Sequence, residues 1–372
     1  MKRIPFPSLD WLDSVFPEDI EKANKYHDTL GRFTSADSAV APKGKKPKLK
    51  RKATKKVLSG EKTLVELGKT GNEWSPRGLV SAGIISEKDL AEVWDDLIDS
   101  QTKLQDDGTY YLGDVQDLVD SKKFDEAWFT LPDAERGKFY KKLVVQTVGR
   151  AIDAKFTPEE LAFARYGKPT SSFQLKSSGE LAVNSALLGW AESSGSEESI
   201  ALGEEARKVL GAGGRLAGMY EEGVATEYNL DSKRQTVLQK KINEEIVKTV
   251  YANTQKHLQS LGITDIDLVR GTGVEAVITG TRWDAEKDRL VSTGRSEVVQ
   301  RPISSWSLDS FTAESFATEF SEGRESVVVR TTLPIERIFS TPLTGLGCLF
   351  ESEFVVLAPP DGNIEVEVRQ AA

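Results

Sequence analysis

The sequence predicts an α+β protein in which a helix-rich part precedes a strand-rich part. Two observations carry this prediction. Apolar residues recur at helical spacing through residues 59–190, whereas short β-branched runs separated by turn residues follow residue 265. Helices and strands that fall in separate stretches of chain are typical of α+β folds and not of alternating βαβ units. With 372 residues, the chain is long enough to bury a large hydrophobic core.

The first 58 residues have the composition of a basic tail, which we expect to be largely disordered. They contain five prolines, and the stretch 43–56 holds nine Lys or Arg and no acidic residue. When that stretch is set aside, the net charge of −9 becomes −18 on the rest of the chain. A tail of this kind can bind the phosphates of DNA through counterion release, or it can serve as a solvated linker, and both interpretations stay open.

Residues 59–195 are predicted to form a mainly helical domain. Ser86 is placed to cap a helix whose apolar residues begin at Leu90, and Thr157 with Glu160 has the spacing of a capping box. Helical spacing also recurs at 124–128 and 139–152. The Ser- and Glu-rich stretch that follows marks the boundary to a second domain, predicted over 196–372.

That second domain begins with helices and continues as strands. A long amphipathic helix is predicted from Asp231 to Leu261, closed by Gly262. The predicted strands after it are Ile266–Arg270, Ala276–Thr279, Ser326–Leu333, Glu353–Leu357 and Ile364–Val368.

Composition excludes several classes of protein and site. No uninterrupted apolar run approaches 18 residues, so no membrane span is expected, and the N-terminal residues lack the apolar block of a secretory signal. Cys348 is the only cysteine, so an intramolecular disulfide is excluded. With His27 and His257 as the only histidines, we expect no metal site and no histidine-based triad. Any catalysis would therefore use carboxylates, arginine and hydroxyl groups.

Three short motifs in the strand-rich part carry side chains suited to catalysis. Arg270 ends a short apolar strand, where it could hold a phosphate. Ser305 and Ser307 flank Trp306, so their hydroxyls are expected on one face of a strand. Glu351 and Glu353 are likewise two residues apart, so a regular strand would put both on one face, where repulsion would raise one pKa. Each motif alone is also compatible with an ordinary surface residue or strand.

In this order, the three motifs resemble the arginine–serine–glutamate class of mono-ADP-ribosyltransferases. Tyr251–Thr272 resembles the family's helix running into its arginine strand, and Pro342–Gly347 resembles the loop before its two glutamates. The resemblance covers about residues 200–372. It departs from the family at Trp306, where threonine is usual. Ser305 follows Arg270 by 35 positions, and this spacing implies an inserted hairpin around 279–298.

The resemblance implies a split β-sandwich with flanking helices and NAD as the substrate. The bond to be broken is the N-glycosidic bond to nicotinamide, through a transition state that resembles an oxocarbenium ion. Glu353 would grip the ribose and stabilise the developing positive charge. Arg270 would hold the pyrophosphate, and the neighbouring Gly271 is expected to contribute to NAD binding.

The remaining roles also follow from the resemblance. Ser305 would support the nicotinamide ribose, and Ser307 would orient the catalytic Glu353. Glu351 would position and help deprotonate an acceptor guanidinium, because a glutamate there accompanies arginine as the target. The acceptor protein would be contacted through the loop 340–350. Tyr251 would either line the NAD pocket or serve as a core aromatic residue.

A second resemblance lies near the N-terminus. His27–Ser35 resembles short segments of tailed-phage minor head proteins, some of which carry such a transferase domain. It implies a location in a virion or in the cytoplasm of a bacterial host, with the stretch 43–56 contacting DNA or virion components. The alternative is a structural head protein whose transferase fold is inactive. The presence of Arg270, Ser305 and both glutamates argues against that alternative.

Overall fold

The computed structural model describes residues 56–58, 64, 67, 74–104, 133–166, 178–192, 196–214, 218–221, 224–227, 237–273, 277–284, 289–319 and 326–370. The basic tail up to residue 55 and the helical stretch predicted at 124–128 lie outside the described residues.

Helices occupy the first half of the described chain and recur twice in the second half. They are α1 (Pro76–Ser81), α2 (Glu87–Leu104), α3 (Asp133–Asp153), α4 (Pro158–Tyr166), α5 (Gly179–Glu192), α6 (Glu197–Leu210), α7 (Val237–Ser260) and α8 (Ser310–Glu319). None of the helices in these ranges is long and apolar enough to span a bilayer.

Apart from β1, the strands follow α6 in the chain, and α7 and α8 are the two helices that interrupt them. They are β1 (Val57–Leu58), β2 (Gly218–Glu221), β3 (Val224–Glu227), β4 (Asp265–Gly273), β5 (Val277–Asp284), β6 (Arg289–Val299), β7 (Ile303–Ser307), β8 (Ser326–Pro334), β9 (Ile338–Ser340), β10 (Glu353–Leu357) and β11 (Asn363–Gln370). A single 3₁₀ turn, Ile335–Arg337, joins β8 to β9.

A nine-stranded sheet is the centre of the fold. Its strand order is β5-β6-β11-β8-β4-β7-β10-β9, and its neighbouring strands are antiparallel. Strand β1 pairs parallel with β4 outside that order. Strands β2 and β3 form a separate hairpin. The predicted α+β class is confirmed, and β5 and β6 form a hairpin where one was predicted around 279–298.

Both predicted helix starts are confirmed. The Ser86 hydroxyl accepts from the Asp89 amide at 3.2 Å, and the Asp89 carboxylate accepts from the Ser86 amide at 2.7 Å. Thr157 and Glu160 make the same reciprocal pair at 3.2 and 2.8 Å. These side chains satisfy backbone N–H groups that have no partner inside the helix.

The long helix α7 is described from Val237 to Ser260, where the prediction ends it at Leu261. Its predicted start at Asp231 lies outside the described residues. Gly262 follows with φ +67°, the left-handed conformation that glycine adopts most readily after a helix. The predicted stop at Gly262 is therefore confirmed.

The helices before residue 195 share their hydrophobic cores with the sheet. One core cluster joins Val93 of α2 and Phe139 of α3 to Leu268 of β4 and Phe354 of β10. A second cluster joins side chains of α3 and α5 to side chains of β7 and β10. The domain border predicted at residue 195 stays a prediction, but both cores contain side chains from both sides of it.

The end of the predicted tail belongs to the sheet. Val57 and Leu58 pair with Asp265 and Ile266 of β4, and the Thr264 amide donates to the Lys56 carbonyl at 3.0 Å. The sequence assigned these residues to the tail because two apolar residues after a basic run give little strand signal. The pairing instead makes them an added edge of the fold.

Candidate active site

Sheet topology brings the three sequence motifs together. Arginine strand β4, serine strand β7 and glutamate strand β10 are direct neighbours in the sheet. Ser307 lies opposite Val269 of β4 and opposite Glu353 of β10. Arg270 and Glu353 are 83 positions apart in the sequence. They nevertheless lie on the two strands that flank β7.

A cleft opens beside these strands. It encloses about 650 Å³, part of which is open solvent, and all six predicted site residues line it: Arg270, Gly271, Ser305, Ser307, Glu351 and Glu353. Helix α8 contributes Thr312, Ala313 and Phe316 to the same cleft, and α5 contributes Trp190.

The carboxylate of Glu353 is buried and surrounded by donors. The side chain is only 6% exposed. Its Oε1 atom accepts from the Ser305 hydroxyl and from the Trp190 indole N–H at 3.3 Å, while Oε2 accepts from the Cys348 amide at 2.7 Å. Burial raises the pKa of Glu353, and these three donors and the Arg270 charge lower it again. The raised pKa was predicted from repulsion between the glutamates, but burial is its main cause.

The two serines have different partners from those predicted. The hydroxyl that binds the Glu353 carboxylate belongs to Ser305 and not to Ser307. The Ser307 hydroxyl donates to the Glu351 carbonyl at 2.5 Å and accepts from the Asp309 amide at 2.8 Å. Asp309 in turn caps α8 by accepting from the Thr312 amide at 3.0 Å. Ser307 therefore fixes the turn before β10 and the start of α8.

Glu351 reaches the cleft from a turn, and Glu353 is the first residue of the strand that follows it. Strand β10 begins only at Glu353, and Ser352 has φ +47°, which a residue other than glycine seldom adopts. The buried Ser352 hydroxyl accepts from the Leu64 amide at 3.0 Å, which holds this turn in place. The sequence predicted both carboxylates on one face of a strand, and that premise is wrong, although both residues line the cleft.

Arg270 and Gly271 of β4 both line the cleft, but they make different contacts. The half-buried Arg270 donates through one guanidinium nitrogen to the Ser305 carbonyl at 3.3 Å. A Cβ on Gly271 would lie 2.1 Å from the Ala313 carbonyl and 2.5 Å from the Ala317 nitrogen of α8. Glycine at this position therefore allows α8 to pack against the strand, in addition to lining the cleft as predicted.

The surroundings of Cys348 and Tyr251 indicate what these two side chains can do. Burial, followed by the charge of Glu351, raises the pKa of the Cys348 thiol to about 12, so it stays protonated and is a poor nucleophile. Tyr251 packs against the second core cluster, and its hydroxyl donates to the Glu336 carbonyl at 3.1 Å. These contacts favour the interpretation of Tyr251 as a core aromatic residue.

Most of the loop predicted to contact an acceptor is buried. Residues 340–346 are inaccessible, and the Ser340 hydroxyl donates to the Leu346 carbonyl at 2.6 Å inside the loop. Phe350 is the large apolar residue of this loop that faces solvent, with 49% of its surface exposed. The part of 340–350 that is available to a partner is therefore its end, next to Glu351.

Trp190 and Arg301 line the cleft with polar groups that none of the three sequence motifs includes. Trp190 lies 163 positions before Glu353, on a helix whose apolar residues are explained by core packing alone. Arg301 precedes β7 and adds a second guanidinium to the cleft lining. No local pattern could have identified either residue, because only the packing of α5 and the pairing of β7 bring them to the site.

Among the described residues, no group of three or more His, Cys, Asp or Glu side chains is arranged to hold a metal ion. Searches of protein-family models, of curated proteins and of solved structures gave no match to this chain.

Proposed function

We propose that this chain is a mono-ADP-ribosyltransferase that cleaves NAD and transfers ADP-ribose to an arginine side chain of an acceptor protein. One observation carries the proposal: three motifs that are distant in sequence lie on three adjacent strands, and all six of their predicted site residues line one cleft. The proposal includes the split β-sandwich of that family as the interpretation of the observed sheet.

The cleft has the chemistry that NAD requires. The guanidinium groups of Arg270 and Arg301 suit the two negative charges of a pyrophosphate. Val269, Ile303 and Phe316 supply apolar surface for the nicotinamide and adenine rings.

Cleavage of the glycosidic bond would depend on Glu353. The bond between C1′ of the ribose and the pyridinium nitrogen breaks, and its electron pair stays with nicotinamide, which leaves as a neutral molecule. Positive charge then develops on the ribose, and a fixed carboxylate stabilises it. Ser305, Trp190 and the Cys348 amide hold that carboxylate in one orientation before the substrate arrives.

Transfer to the acceptor would depend on Glu351. A guanidinium nitrogen attacks C1′, forms the new C–N bond and releases one proton, which the Glu351 carboxylate can accept. Glu351 lines the cleft next to the exposed Phe350, so an acceptor side chain could reach both. The loop end that carries them is the proposed contact with the acceptor protein.

The proposed location is a virion or the cytoplasm of a bacterial host, with the stretch 43–56 contacting DNA or virion components. It is supported by the phage-like segment His27–Ser35 and by the nine basic residues that follow it. A structural protein with an inactive site is the alternative that the activity test must exclude.

The proposal is tested by incubating the full chain with NAD and agmatine, a small guanidino compound. We expect mass spectrometry to detect ADP-ribosyl-agmatine together with one equivalent of nicotinamide. Cadaverine, which carries amines in place of the guanidinium, is the matched control and should not be modified. Nicotinamide release with no agmatine product would contradict arginine as the target, and no release at all would favour the structural alternative.

A further inference from the structure

Trp190 joins the helical segment to the candidate catalytic carboxylate. It lies in the last turn of α5, is 4% exposed and lines the cleft. Its indole N–H is 3.3 Å from the Oε1 atom of Glu353, the atom that also accepts from the Ser305 hydroxyl. None of the three motifs includes Trp190 or any other residue of α5.

The position of Trp190 is fixed by the packing of α5 against α6. The hydroxyls of Ser196 and Ser199 both donate to the Gly189 carbonyl, at 2.8 and 3.2 Å. A Cβ on Gly189 would lie 2.4 Å from the Glu198 Cβ, so glycine lets the two helices approach closely one residue before the indole. These contacts fix the backbone next to Trp190, and the indole itself is buried in the second core cluster.

We infer that Trp190 is a positioning residue, whose indole N–H holds the Glu353 carboxylate in the orientation that the cleft uses. The helical segment would then complete the active site as well as cover the sheet. The inference rests on the proposed function for its kinetic consequences, whereas the hydrogen bond itself can be tested without any activity.

The charge state of Glu353 offers a direct readout. A donor to an ionised carboxylate lowers its pKa, so removal of the Trp190 N–H should raise the pKa of Glu353 above its value in the wild-type chain. The other groups near this carboxylate are Arg270 on β4, Arg301 before β7, and Cys348 and Glu351 before β10, with Lys141 of α3 next to Cys348. All of them remain in the variants below.

The experiment is a ¹³C NMR titration of the full chain carrying glutamate labelled at the side-chain carboxyl, with Glu353→Gln used to assign the signal. Trp190→Phe should shift the midpoint of Glu353 upward. Trp94→Phe is the matched control, since Trp94 is a buried core tryptophan of α2 at 7% exposure, and it should leave the midpoint unchanged. Replacement of Trp190 by 3-benzothienylalanine, which keeps the shape and lacks the N–H, should reproduce the upward shift if Trp190→Phe folds poorly.

In NAD cleavage, the same two Trp190 variants should lower kcat about tenfold while KM for NAD changes little. An unchanged Glu353 midpoint in the benzothienylalanine protein would overturn the inference. Absence of cleavage by the wild-type chain would instead overturn the proposed function, while the titration would still decide whether Trp190 acts on Glu353.

Discussion

The surroundings of the Glu353 carboxylate have two opposing effects on its pKa. Burial disfavours its ionised form, while Ser305, Trp190, the Cys348 amide and the Arg270 charge favour it. Groups with competing perturbations of this kind are frequent at catalytic sites, because a fixed charge in a low dielectric acts strongly on a developing charge of opposite sign. This arrangement gives a pH dependence that can be measured.

We expect NAD cleavage to fail in mild acid. Because burial raises the pKa of Glu353 above its ordinary value of 4.5, the ionised fraction falls at a higher pH than for an exposed glutamate. Ser305→Ala removes a donor to the charged form and should move the acid limb of kcat/KM to still higher pH. A profile of kcat/KM against pH for both proteins makes the comparison. The assignment would be contradicted if the acid limb of kcat/KM lay at the ordinary glutamate pKa of 4.5. It would also be contradicted if that limb moved to lower pH in Ser305→Ala.

Glu351 is expected to act on transfer and not on cleavage. Glu351→Gln keeps the size of the side chain but removes the base, so ADP-ribosylation of agmatine should fall by about 10²–10⁴-fold. Water can still trap the ribosyl cation, so nicotinamide release should be largely retained. The ratio of the two products, measured by chromatography, reports the division of roles. Loss of both activities to the same extent in a folded variant would show that the roles are not divided.

For individual residues, the sequence could predict which side chains come together in the site but not which atoms form hydrogen bonds. Arg270, Ser305 and Glu353 were recognisable because their residue types and order form a pattern. The assignment of the carboxylate's partner to Ser307 was wrong, because the partner depends on the turn at Ser352 and on the register of β10 against β7. Trp190 had no signal, since its role depends on a contact across 163 positions.

Among the elements, strand β4 and helix α8 form the wall of the cleft opposite the glutamates. Helix α8 packs on β4 at Gly271 and supplies Thr312 and Phe316 to the lining. The sequence predicted the strands from their β-branched runs, and the structure confirms them. Their order in the sheet could not be predicted, because pairing is decided by contacts between distant residues and not by local composition.

The substitution Gly271→Ala tests the close packing of α8 on β4. The added methyl group would overlap the backbone of α8, so the helix must move, and overpacking of this kind typically costs about 1–3 kcal/mol of unfolding free energy. The same movement should raise KM for NAD, because α8 lines the cleft. Urea unfolding and steady-state kinetics measure the two effects. Thr272→Ala, on the neighbouring residue, adds no atoms toward α8 and serves as the control. Wild-type stability in Gly271→Ala would contradict the close packing of α8 on β4.

Across the whole molecule, helices and strands share their cores. Side chains of α3 and α5 lie in one core cluster with those of β7 and β10, and side chains of α2 lie in another with those of β4. The separation into a helical and a strand-rich stretch was predictable from periodicity. Their joint packing was not, because an amphipathic helix shows that it buries one face but not which surface covers that face.

The structure also indicates how many residues of the basic tail can be deleted without removing part of the sheet. Lys56 donates to the Leu261 carbonyl at 2.7 Å, and Val57 begins the pairing with β4, so a deletion should stop at residue 55. Deletion of 1–55 removes eight of the nine basic residues in 43–56 and should abolish binding to DNA while leaving NAD cleavage unchanged. Binding of the full chain should weaken steeply as salt rises, with a slope of about −0.9 per neutralised phosphate.

Fluorescence anisotropy with labelled DNA at several salt concentrations measures this affinity, and a melting curve shows that the fold survives. A second deletion, of 1–58, also removes β1 and should lower the melting temperature, whereas the first should not. Equal DNA affinity in the full chain and the 1–55 deletion would show that the tail is not the nucleic-acid contact and would support the linker interpretation.

The central claim is that the cleft cleaves NAD through Glu353. Glu353→Gln is the decisive variant, but an amide cannot accept from both the Trp190 and the Cys348 N–H groups, which contact different oxygens. A loss of about 1–3 kcal/mol of stability is therefore expected with it. Melting curves must show that the variant is folded at the assay temperature.

The most direct measurement is nicotinamide release from NAD by the purified full chain and by Glu353→Gln. We expect steady release by the full chain and a rate about 10²–10³-fold lower in the variant, since one electrostatic stabiliser of the transition state is lost. Release at the same rate by both folded proteins, or none by the full chain, would contradict the claim that this cleft is an NAD-cleaving site.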